Sequence, residues 1–173
     1  MTMKTTEVVA LGYRYPNPSA AAALTAAIDG ETHADVKRHM RRFLDEVGAL
    51  SLGEWEELHT ATLDLNAPFV PYVGHVEWGD NYRRGEFMAD LKRSMEDVGI
   101  DLAGELPDHI EPILRYLAAT DAPLADLVEV LPGTVTTMAH TLESAAPKNP
   151  YCHLMAATVV VAANRPVTIG GRR

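Results

Sequence analysis

The chain has 173 residues, 47% of them hydrophobic, with a formal net charge of −9 and a single cysteine. That length suits one domain with its own core, and a chain of this size buries roughly 70% of its unfolded surface. The acidity argues against nucleic-acid binding, while a lone Cys152 excludes an internal disulfide and fits a reducing compartment.

The opening stretch, Met1 to Ala10, carries one Lys and an apolar run too short for a signal peptide. The longest apolar-rich run, Met155 to Ala163, reaches about half of what a membrane span needs. A cytoplasmic protein is expected, with no direct membrane insertion and no nucleic-acid partner.

Glu7 to Tyr15 reads as a short helix that stops before Pro16, because the residue preceding a proline avoids the α region. Asn17-Pro18 then offers an N-cap and a proline at the first helical position, opening Ser19 to Ile28 with Gly30 as terminator. His33 to Leu50 sets Val36, Met40, Phe43, Leu44 and Val47 at helical spacing, so one stripe faces a core. Its other side carries Lys37, Arg38, Arg41 and Arg42, which read as a solvated basic face before they read as a phosphate site.

Ser51 and Glu54 form a capping box that starts a helix with Trp55, Leu58 and Thr62 inward. A long loop follows from Asn66 to Tyr82, broken by Pro68 and Pro71. Its aromatic content (Phe69, Tyr72, Trp78, Tyr82) argues against disorder. Arg83 to Val98 returns to helical period through Phe87, Met88, Leu91 and Met95, and Gly99 stops it.

Asp108 with Glu111 three residues on predicts another N-terminus, Asp108 serving as the cap. Ile110, Ile113, Leu114 and Leu117 make the buried face of that helix, and Tyr116 and Met88 are further core candidates. Pro123 opens the next helix, which Pro132-Gly133 is expected to break or kink before Val135 to Leu142. Tyr151 to Ala163 is a last helix, and Val159-Val160-Val161 is too short to found a sheet. The fold expected is all-α: a single-domain bundle of about seven or eight helices over residues 1–165, with one long ordered loop and a flexible tail at 166–173.

Enzyme chemistry finds little purchase. The seven histidines sit at 33, 39, 59, 75, 109, 140 and 153, so no two are three or four apart on a helix face to share a metal. No nucleophile elbow, phosphate-binding glycine loop or dinucleotide fingerprint occurs, and Cys152 reads as a satisfied thiol. A non-enzyme without cofactor or metal is expected. Acids cluster instead: between Asp101 and Val130 seven of them face one base, Arg115. Such a face favours a basic peptide or amine, or is simply a solvated surface.

Three pieces, in order, carry a family resemblance: Asp64, the run H-V-E-W-G-D-N-Y-R-R-G from His75 to Gly85, and E-L-P-D-H-I from Glu105 to Ile110. Together they resemble the NarJ-type chaperones, the nitrate reductase molybdenum cofactor assembly family (the delta subunit), related to the TorD/DmsD group. Within the first run the matches are His75, Gly79-Asp80 and Arg84-Gly85. Asp80 and Arg84, four apart, are expected to pair and order the loop.

The resemblance implies a chaperone that binds the N-terminal segment of a molybdoenzyme catalytic (alpha) subunit, most of all respiratory nitrate reductase. It would hold the apoenzyme until molybdopterin guanine dinucleotide and an iron–sulfur cluster are in place, alongside molybdenum cofactor biosynthesis proteins. The peptide-contacting residues it points to are Tyr72, His75, Trp78, Asp80, Arg84, Glu105, Asp108 and His109. Neutralising Asp80 and Asp108 is then expected to weaken peptide binding while the fold stands. The same role for another molybdoenzyme, an acidic helical adaptor unrelated to molybdenum, and a small helical enzyme remain the alternatives.

Overall fold

The computed structural model describes residues 3–164, and the tail expected at 166–173 lies outside them. The described chain is all-helical, with nine helices and no strand. In order they are α1 (Thr5–Tyr13), α2 (Ala20–Asp29), α3 (Ala34–Gly48), α4 (Leu52–Leu63), α5 (Val73–Trp78), α6 (Tyr82–Asp97), α7 (Ile110–Ala119), α8 (Ala125–Ala145) and α9 (Tyr151–Ala163).

The core is organised on α9. This helix is apolar on most sides, and Tyr151, Leu154, Met155, Ala157 and Val161 are all buried. Helices α1, α3 and α8 all pack against it, and α7 packs on α1. The stripe read from α3 is inward at every position, from Val36 to Val47. Phe43 sets its ring edge against Tyr151 at 5.1 Å and Trp55 at 6.5 Å, joining α3, α4 and α9. The three valines at 159–161 are helical, because a helix already surrounded by partners overrides their β preference.

Local signals hold where the chemistry is strong. Ser51 and Glu54 form the full capping box of α4. Asn17 accepts from the Ser19 N–H and hydroxyl in a turn one step before α2, rather than capping it. The basic residues of α3 stitch it to α2: Lys37 donates to the carbonyls of Asp29 and Glu31, and Arg41 pairs with Asp29 at 2.7 Å. Tyr116 is core, with its hydroxyl accepting from Leu124 N–H.

One expectation is narrowed and two are corrected. Pro132 does not break the chain into two helices, since α8 runs through it from Ala125 to Ala145. Pro132 and Gly133 are exposed there, so water can serve the carbonyl left without a proline donor. The long loop from Asn66 to Tyr82 contains the short helix α5. The N-cap of α7 is His109, whose Nδ1 accepts from Glu111 N–H at 3.2 Å, and not Asp108. Asp108 is fully buried and is spent on another partner.

Candidate functional site

The residues just before His75 and the run from Glu105 to Ile110 are held together by a short clasp. Tyr72 and His109 face each other in an isolated antiparallel bridge. Its two bonds run from Val73 N–H to Asp108 O at 2.8 Å and from Ile110 N–H to Pro71 O at 3.0 Å. This clasp fixes the start of α5 against the start of α7, so side chains 37 residues apart share one corner of the bundle.

Beneath the clasp lies a buried ion pair. Arg84, reaching from α6, donates from Nε to Asp108 Oδ2 at 2.9 Å and from its other arm to Oδ1 at 3.4 Å. Asp108 has no exposure, and the Arg84 side chain is only 16% exposed. Gly74 makes room for the pair: a Cβ there would stand 2.8 Å from Asp108 Oδ2 and 3.2 Å from Phe87. The expected Asp80–Arg84 contact exists at 3.9 Å, but Asp80 is 90% exposed and the short bonds go to Asp108. Surface pairs of that kind contribute little.

Tyr72 covers the same guanidinium, with Arg84 5.8 Å from its ring centre. Its hydroxyl donates to Glu105 at 3.2 Å. Burial, then the neighbouring Glu105 carboxylate, pushes the phenol up to about 12, which keeps it a donor. The Tyr72 ring also meets His109 edge-on at 5.2 Å. The remaining predicted residues stand outside this knot. His75 faces Asp80 at 3.5 Å, and Trp78 lies on Phe87 at 5.0 Å beneath the Arg83 guanidinium.

Glu105 and His109 look outward into a cleft of about 550 Å³, where the end of α1, the end of α4 and the turn before α7 meet. Tyr15, His59, Asp64, Asp101 and Glu111 line it together with Arg14 and Arg115. Both arginines are drawn toward one acid: Arg14 Nε lies 3.6 Å and Arg115 Nε 2.8 Å from Glu111 Oε1. The Arg115 Nε–H does not aim at that oxygen, so the contact is electrostatic rather than a formed hydrogen bond. Arg115 also donates to the Asp101 carbonyl at 2.8 Å. Among the described residues the carboxylates of Asp64, Asp101 and Glu105 have no arginine partner, Asp101 accepting from Ala103 N–H and Glu105 from the Tyr72 hydroxyl and Leu106 N–H. The turn that presents this wall carries two successive left-handed residues, Ala103 and Gly104.

The cleft floor holds two histidines, both kept neutral. Burial lowers His59 first, against the opposing pull of Asp64 and with a smaller push from His109. Burial likewise lowers His109, against Glu105, Glu111, Asp64 and Asp108. His59 Nδ1 lies 3.0 Å from the Tyr151 hydroxyl, and Tyr15 meets its ring edge-on at 5.2 Å. A histidine whose folded pKa is depressed binds its proton more readily when the chain is unfolded. Stability is therefore complete above the unfolded value of about 6.5 and falls as pH drops below it. Thermal unfolding followed from pH 8 to pH 5 is expected to show that loss, and His59→Gln to flatten it. Protonation of His109 would also cost α7 its cap, which His109→Asn should preserve.

The predicted eight residues thus divide. Tyr72, Arg84, Glu105, Asp108 and His109 come together at the clasp, while His75, Trp78 and Asp80 lie on the neighbouring surface. His59 was not among the inward residues read for α4, and its place one turn beyond Trp55 is the signal that could have marked it as buried. Nothing local in the sequence ties Arg14 to Glu111. Among the described residues no group of three or more acids, histidines or cysteines is placed to hold a metal, and no helix is long and apolar enough to cross a membrane. No protein-family model and no curated protein matches this chain.

Proposed function

We propose that this protein is a chaperone of the NarJ type, which holds the N-terminal segment of a molybdoenzyme catalytic subunit in the His109 cleft. The observation that carries the reading is the acidic cleft itself. Asp64 and Glu105 stand over a floor of neutral imidazole and tyrosine, and the two arginines among the described lining residues face Glu111. A basic or amphipathic segment meets complementary charge and an apolar floor there, which is the helix-in-groove mode of peptide recognition.

The clasp gives the second support. Of the residues that resemble the family, Asp64, Glu105 and His109 line this cleft, and the run from His75 to Gly85 is tied to it only indirectly, through Arg84 and its partner Asp108 beside His109. In this reading no bond is made or broken. Occupancy keeps the client in the cytoplasm until its molybdopterin and iron–sulfur groups are loaded. Respiratory nitrate reductase is the first client to test.

The test has two parts. Capture of the protein from its own cells, with bound proteins identified by mass spectrometry, is expected to recover a large molybdopterin-binding subunit. A synthetic peptide of that subunit's first residues is then titrated against wild type and Asp64→Asn/Glu105→Gln. A loss of about tenfold in affinity is expected, equivalent to about 1.4 kcal/mol. Equal affinity for the two proteins would sink the cleft assignment, and capture without any molybdoenzyme subunit would favour an acidic adaptor.

A further inference from the structure

Helix α4 turns one face away from the core. Gly53, Glu56, Glu57, Thr60 and Ala61 recur at helical spacing along that face, and Leu65 continues it beyond the helix end. They line a second depression of about 470 Å³, walled on its other side by Tyr15. Tyr15 also lines the His109 cleft, so the two spaces share that side chain. Asp64, at the rim of the first, is followed in the chain by Leu65 at the end of the second.

The chemistry of this face is mixed in one particular way. Tyr15 and Leu65 are large apolar side chains at 55% and 67% exposure, and Leu52 lies at the other end of the helix at 36%. The floor is low, since a Cβ at Gly53 would meet nothing within 4 Å and Thr60 and Ala61 are small. Its charged residues are Glu56 and Glu57, with no lysine or arginine among the described residues of the lining. From Gly53 to Leu65 the face extends about 18 Å at 1.5 Å per residue.

We propose that this face of α4 and the His109 cleft form one continuous groove that takes a basic, amphipathic peptide segment. Apolar side chains of the segment rest on Tyr15 and Leu65, and its cations meet Glu56 and Glu57. Charge complementarity selects the occupant: acids without counter-cations beside exposed apolar rings repel an acidic or a purely apolar partner. The inference rests on the peptide-binding reading of the cleft and extends it to a longer ligand, one that passes Tyr15 rather than stopping at it.

Fluorescence anisotropy with two synthetic probes tests it on the full chain. One is an amphipathic Lys/Leu peptide of about 18 residues, and the other is half of it, enough for the cleft alone. Ala61→Arg fills the floor of the groove with a cation, and Glu56→Gln/Glu57→Gln removes its charge; all three positions lie outside the fully buried core. Either change is expected to weaken the long probe about tenfold and leave the short one untouched, while Asp64→Asn/Glu105→Gln weakens both. If the α4 variants bind the long probe like wild type while the cleft variant does not, the extended groove is overturned and the cleft reading survives. If the cleft variant also binds both probes normally, both readings fall. Loss with the α4 variants alone would put the peptide on α4 and overturn the shared groove.

Discussion

Replacing Asp108 with Ala is expected to destabilise the protein by about 3 kcal/mol, the lower end of the range for breaking a buried ion pair. The carboxylate has no exposure and is the partner of both Arg84 arms, so its removal leaves a guanidinium in a nearly closed site. Arg84 keeps a little contact with water at 16% exposure, which is why the lower end applies. Urea unfolding followed by circular dichroism measures the loss. Arg84→Met/Asp108→Leu should recover most of it, because an apolar pair needs no compensation. An Asp108→Ala protein that unfolds like wild type would show the pair to be idle. The same burial revises the expectation that neutralising Asp108 leaves the fold standing: any effect on peptide binding would arrive through the collapse of the clasp beneath the cleft.

The second large effect is a contrast between two glycines of the same region. Gly74→Ala is expected to cost about 1–3 kcal/mol by overpacking, since its Cβ would press on Asp108, Arg84 and Phe87 at 2.8–3.2 Å. Gly85 lies within α6 with nothing within 4 Å of a Cβ. Gly85→Ala should therefore stabilise by up to about 1 kcal/mol through helix propensity alone. Paired denaturation curves decide the matter. Equal midpoints for the two variants would mean that Gly74 does not hold the close approach described above.

These two glycines also mark the limit of what the sequence discloses. Helix periodicity showed the inward stripe of α3 and the face of α7 because both patterns are local and follow a fixed spacing. The capping box of α4 was equally plain. At α7 the local rule misled: Asp108 with Glu111 satisfies the spacing of a cap, yet tertiary pairing with Arg84 claimed the carboxylate and His109 took the cap. Likewise, Asp80 stands four residues from Arg84, but the distant Asp108 offered a dry environment in which a charge pair is worth more. The cleft was half legible. Glu105 and His109 stood out in their motif, whereas His59, Arg14 and Tyr15 join them only through the packing of α1 and α4.

The central position of α9 has a consequence for how the protein is made. Helices α1, α3 and α8 all lean on residues 151–163, which follow them in the chain. A nascent chain leaving the ribosome therefore displays their apolar faces with no common support until those residues emerge. The packing of α1 and α3 on α9 joins distant parts of the chain, which slows folding and lengthens exposure to aggregation. A protein whose proposed task is to shield another's unfinished chain passes through a comparable unshielded stage during its own synthesis.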